Sequence, residues 1–142
     1  MRGPIQSLEV TCFLHATEDA DKVAAAVVDA FSIQGEPLLE KMEGHFGNEI
    51  TMMRFHLLGD EAQRAFSKLA ASIPPETKAA IVGEIAQVID EHSALFLRFD
   101  KQSVVQGRLR LGEVDPVRVK VKPRKFVMKG TAPEFYSRLF GA

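Results

Sequence analysis

A single cysteine, Cys12, stands in 142 residues. That scarcity excludes an intramolecular disulfide and a cysteine-based metal cage, and nothing in the chain calls for an oxidising compartment. Apolar runs are short: none approaches the roughly 18 residues of a membrane span, and the opening "MRGPIQSLEV" has no signal core, so the expectation is a cytoplasmic protein without a membrane partner. There is no internal repeat, Walker sequence, nucleophile elbow or paired-cysteine site. These absences favour a non-enzymatic protein with no catalytic residues, no cofactor and no metal. What is present fits an ordinary globular chain, because 46% hydrophobic and 26% charged residues supply both a core and a soluble surface. The length suits one domain over residues 1–142.

Net charge is −1, but its distribution is uneven. Residues 1–100 carry 8 Lys/Arg against 16 Asp/Glu, a balance of −8, whereas residues 101–142 carry 10 against 3, a balance of +7. Such an asymmetry points to an anionic partner or to a segregated surface for head-to-tail self-association, and the alternative reading is a protein-interaction subunit whose basic strand meets an acidic protein surface.

Periodicity predicts the elements. "SLEVTCFLH" (7–15) alternates as a strand, with Leu8, Val10, Cys12 and Leu14 on one face. "TEDADKVAAAVVDAF" changes to helical spacing, with Thr17 as its N-cap. Strands are expected at 38–43 and 49–58 around the glycine turn "EGHFGN". Asp60 and Gln63 read as a capping box for a helix that ends at Pro74 and Pro75, and a second helix runs from Glu76 to about Glu91. Strands at 94–100, 104–111 and 117–122 follow, and a Thr131/Glu134 capping box with Pro133 opens a last short helix. The order βαββααβββα predicts an α+β fold, a sheet packed with helices.

The stretch "VRVKVKPRK" (117–125) alternates valine with cations. Paired across "GEVDP" with 104–111, it predicts a basic hairpin in which Arg110 faces Arg118, Arg108 faces Lys120 and Gln106 faces Lys122. Opposed like charges weaken a sheet pair unless an anion spreads over them, and a phosphodiester backbone has that chemistry. Arg108, Arg110, Arg118, Lys120 and Lys122 are therefore the expected phosphate contacts of a nucleic acid, flanked by Lys101 and Arg124, with His45, Asn48 and Arg98 as secondary ones. Aromatics suited to base stacking are not interleaved with these cations, so the contact expected is mainly to backbone and shape. A solvated outer hairpin face is the bland alternative. His15, Glu18, Asp19, Glu43 and His45 raise the separate question of a metal-dependent or acid/base site, against which stands the plainer reading of a helix cap and a glycine turn.

With "FLHATED" (13–19) followed by Lys22 and Val23, "EGHFGN" before Ile50, "LFLRFDKQ" (95–102), Gly107 with "LRL", and "DPVRVKVK" (115–122), the chain resembles an archaeal family of small proteins labelled RNA-binding and sometimes described as exosome-associated. The likeness spans about residues 7–123. That family is similar in fold to the large-ribosomal-subunit protein that holds five-S ribosomal RNA. The resemblance implies RNA as partner, together with RNA-processing or ribosomal proteins, and no known reaction.

Overall fold

Strand β1 (Ile5–His15) forms as its alternation predicts: Leu8, Val10, Cys12 and Leu14 are at most 3% exposed, while Glu9, Thr11 and Phe13 on the other face keep contact with solvent. The computed structural model describes residues 3–44, 47–124, 128 and 130–141. After β1 come α1 (Ala20–Phe31), β2 (Leu38–Glu43), β3 (Glu49–Leu58), α2 (Gly59–Ser72), α3 (Pro75–Gly83) and a 3-10 turn over Ile85–Val88. Then follow β4 (Leu95–Asp100), α4 (Lys101–Val105), β5 (Pro116–Pro123) and α5 (Ala132–Leu139). The five strands make one antiparallel sheet in the order β2-β3-β1-β5-β4, so the fold is the expected single-domain α+β arrangement. No helix among the described residues is long and apolar enough to cross a membrane.

One face of the sheet carries the core. Val117, Val119 and Val121 of β5 and Leu95, Leu97 and Phe99 of β4 join the apolar set of β1, all at most 3% exposed. Above them lie Val27 and Phe31 of α1 and Ala62, Ala65, Phe66 and Leu69 of α2. Burying each large side chain here contributes about 1.5–3 kcal/mol, which makes this face the determinant of register. Helix α5 closes the layer: the Phe140 ring lies 5.5 Å from that of Phe66, and the buried Tyr136 hydroxyl donates to Ser93 O at 2.6 Å. No described helix covers the opposite face.

Local details depart from expectation in four places. The N-cap of α1 is Asp19, which accepts from Lys22 N–H at 3.2 Å, rather than Thr17. Gln63 does not box with Asp60; its Oε1 accepts from Ile5 N–H at 2.9 Å and ties the start of β1 to α2. The helix expected from Glu76 to Glu91 stops at Gly83, a weak helix former, and continues as the 3-10 turn. The strand expected over 104–111 does not form: Val104 and Val105 end the short helix α4, and of the rest only Leu111 makes an isolated bridge, to Phe99. Asp100 is the reason: its carboxylate accepts from both Ser103 N–H (3.0 Å) and Ser103 Oγ (2.7 Å), which starts a helix, and Gly107 at φ 80° ends it. Thr131 caps α5 as predicted.

Candidate nucleic-acid interface

Because the valines of β5 face the core, Arg118, Lys120 and Lys122 must face the uncovered side of the sheet. Their neighbours are not those of a β5 hairpin with 104–111. Strand β5 is inserted between β1 and β4, so Arg118 lies between Thr11 and Arg98, and Lys120 between Glu9 and Phe96. Ser7 stands opposite Lys122. Beyond β1, Arg54 of β3 pairs with Thr11 and His56 with Glu9. One row across four strands thus reads Arg54, Thr11, Arg118, Arg98. Opposed like charges do occur, as the sequence suggested, but Arg118 faces Arg98 rather than Arg110. A like-charged pair of this kind costs a few tenths to about 1 kcal/mol in a bare sheet. Glu9 interrupts the cations, with one carboxylate oxygen 3.2 Å from Arg54 Nε.

The other expected contacts are divided. Arg108 follows α4 and borders a cleft with Ala26 and Asp29 of α1 and Lys68 and Ser72 of α2, on the helical side of the sheet. Arg110 lies outside the edge strand β4, where its carbonyl accepts from Asp100 N–H at 2.7 Å and adjacent Leu111 bridges Phe99. Arg124 donates to Gly3 O at 3.2 Å and fastens the start of the chain to the end of β5. Asn48 is exposed in the β2–β3 turn, two strands removed from β5. His45 lies outside the described residues. Arg98, expected only as a secondary contact, is exposed on the open face at the edge strand β4, directly opposite Arg118.

Lys101 is a clear correction, for it is 1% exposed and has no access to an external phosphate. Its ammonium donates to Phe13 O at 2.8 Å and to Glu18 Oε1 at 2.7 Å, and lies 2.6 Å from Asp115 Oδ2. Burial disfavours the ammonium, but the hydrogen bonds and charges of Asp115 and Glu18 outweigh it, so its pKa lies above the ordinary value. Of the groups weighed for metal or acid/base chemistry, His15 and Glu18 do meet, with Asp115 rather than Asp19 or Glu43; their ligand atoms lie within 4.8 Å of one another. Lys101 already supplies the positive charge these two carboxylates require, which makes the cluster a compensated anchor. Cys12 behaves as a small core residue, burial pushing its thiol up to about 12.

Two residues of the face were missed in reading the chain linearly. Phe13 and Phe96 are out of phase with the buried positions of β1 and β4, and both project to the open side. Arg118 Cζ lies 6.0 Å from the Phe13 ring centroid, and Lys120 Nζ lies 5.4 Å from that of Phe96. The rings are therefore interleaved with the cations in space although not in sequence. The signal was available in "TCFLH" and "LFLRFD", where alternation already assigns each phenylalanine a face.

Comparison with known proteins agrees with this architecture. The RNA-binding protein PAB1135 of Pyrococcus abyssi is 28% identical over 141 residues, covering 93% of this chain and 92% of that protein. Among solved structures, protein AF2318 from Archaeglobus fulgidus superposes with a TM-score of 0.79 at 28% identity, covering 95% of this chain and 99% of that one. Mth689 from Methanothermobacter thermautotrophicus gives a TM-score of 0.75 at 26% identity, with 96% and 95% covered. A family described as RNA binding matches residues 7–123, which takes in the sheet from Ser7 of β1 to the end of β5, and the chain belongs to that family.

Proposed function

We propose that this protein binds RNA, without catalysing a reaction on it, through the open face of its sheet. Arg98, Arg118, Lys120 and Lys122 contact the phosphate backbone, and Arg54 extends the same surface. The observation that carries this reading is the row of Arg54, Arg118 and Arg98 on a face that no described helix covers. Arginine matches phosphate with a planar fork and lysine with a mobile point charge, and clustering them releases counterions when RNA binds. A role in RNA processing or ribosome-related assembly suits such a module. A protein partner in that assembly is favoured by Leu38 and Leu39, which are 62% and 57% exposed on β2, the edge strand farthest from β4.

The test is a fluorescence-anisotropy titration of RNA across a salt series. Log affinity should fall linearly with log salt, with a slope of about −0.7 to −0.9 for each phosphate contacted. Replacing Arg118 and Lys120 together by alanine should weaken binding and flatten that slope by about two contacts. Arg108→Ala, on the helical side, should bind as the parent does. Equal affinity and slope in the double variant, or loss confined to Arg108→Ala, would reject this face as the site.

A further inference from the structure

The open face holds more than phosphate binding requires. Phe96 is 40% exposed between two buried leucines of β4, and Phe13 is partly exposed between Cys12 and Leu14. The register fixes where they stand relative to Arg118. Thr11 and Arg98 flank Arg118 on either side; Phe13 comes two residues after Thr11, and Phe96 two residues before Arg98. Both flanking strands run antiparallel to β5, so the two rings fall at opposite corners with Arg118 between them. At about 4.8 Å between strands and about 3.4 Å per residue, each ring's Cα lies about 8 Å from that of Arg118 and about 17 Å from the other. Each ring also has a cation of its own, Arg118 for Phe13 and Lys120 for Phe96.

We infer that the RNA taken by this face is single-stranded and that its bases stack on Phe96 and Phe13 while Arg118 and Lys120 hold the adjoining phosphates. This rests on the proposal that the open face is the RNA site and specifies its substrate. A duplex presents backbone and keeps its base faces stacked inside, so it meets cations but not rings. Only an unpaired strand brings a base and a phosphate together within the short distance that separates each ring from its cation. Open antiparallel sheets with surface aromatics stack two or three bases, and the diagonal from Phe13 to Phe96 is a strip of that kind. Phe96 is approachable from the sheet edge as well, because a cleft of about 390 Å³ opens beside it and Arg98, lined by Leu97, Ile89 and Leu111.

The experiment compares a mixed-sequence single-stranded RNA with the blunt duplex of the same sequence, titrated against the intact protein and three variants. Phe96→Leu keeps apolar bulk at the cleft but removes the ring, Phe96→Tyr keeps the ring, and Phe13→Leu repeats the test at the other corner. Single-stranded RNA should bind more tightly than duplex. Phe96→Leu should lose about tenfold for the single strand with an unchanged salt slope, and Phe96→Tyr should bind as the parent does. Duplex binding at least as tight as single-strand binding overturns the inference, as does parental affinity in both leucine variants. In either case the salt dependence and its response to loss of Arg118 and Lys120 still report separately on the open face as an RNA site. No binding of either RNA at low salt would overturn both.

Discussion

Lys101 Nζ lies 2.6 Å from Asp115 Oδ2, joining the first residue of α4 to the residue that leads into β5. The same ammonium reaches back to Phe13 O in β1 and to Glu18 ahead of α1, so three separate segments converge on one buried cation. Such a point fixes how β5 enters the sheet between β1 and β4. It also explains why a lysine beside the basic segment does not serve as a surface contact.

Replacing Lys101 by methionine keeps the bulk but leaves two carboxylates facing each other and a carbonyl without its donor. Removing one partner from a buried ion pair costs about 3–5 kcal/mol; the part exposure of Glu18 and Asp115 places this case near 3 kcal/mol, a fall of about 10 °C in Tm. Thermal unfolding followed by circular dichroism measures it. Below the transition, the salt slope of RNA binding should match that of the parent. An unchanged Tm, or a shallower slope, would return Lys101 to the interface.

The anchor also sets a dependence on pH. Burial works against the Glu18 carboxylate, but hydrogen bonds from Lys101 and from His15 N–H outweigh it and hold its pKa below the ordinary value. A depressed folded pKa gives stability that is whole above the unfolded value, about 4.3, and is lost as pH falls through the folded one. Lys101 is shifted upward, so its contribution is whole below about 10.4 and is lost as pH rises through its folded pKa. Denaturation by urea at a series of pH values should therefore show a plateau from weakly acidic to weakly alkaline conditions. Glu18→Gln should be less stable on that plateau and converge towards the parent in acid. A constant difference between the two across the acid limb would contradict the assignment.

Much of this was legible in the chain, and the failures share a cause. Alternation in "SLEVTCFLH" and "VRVKVK" assigned the faces of β1 and β5 correctly, because a strand with one buried side leaves its register little freedom. The same rule applied to "VVQGRLRL" misled, since a local hydrogen bond from Ser103 to Asp100 and a positive φ at Gly107 outweigh a short run of alternation. Once that strand gave way to a helix, Arg108 moved to the helical side and Arg98, rather than Arg110, became the neighbour of Arg118. Which strands lie side by side is a tertiary fact. Phe13 and Phe96 lie on opposite sides of β5 in the sheet but 83 positions apart in the chain, so their meeting with the cations could not be read from proximity in sequence.

Glu9 offers a test in the opposite direction, a substitution that should improve binding. It is the acid directly opposite Lys120, and its carboxylate stands 3.2 Å from Arg54 Nε. Both side chains are about one-third exposed, so the pair contributes no more than about 1 kcal/mol to stability, and Glu9→Gln should unfold close to the parent temperature. Its effect on RNA should be larger than its effect on folding. The carboxylate repels an incoming phosphate and competes with it for Arg54; glutamine removes the repulsion and frees the guanidinium. Anisotropy titration at low salt should show affinity rising by a few-fold, about 1 kcal/mol or less, with a salt slope steeper by up to one contact as Arg54 joins the phosphate set. Because a partly exposed charge acts largely on encounter, the gain should appear first in the association rate and fade as salt is raised. Weaker binding by Glu9→Gln would mean that Glu9 organises Arg54 rather than occupying it, and Arg54 would then belong to the structure of the sheet and not to its RNA-binding surface.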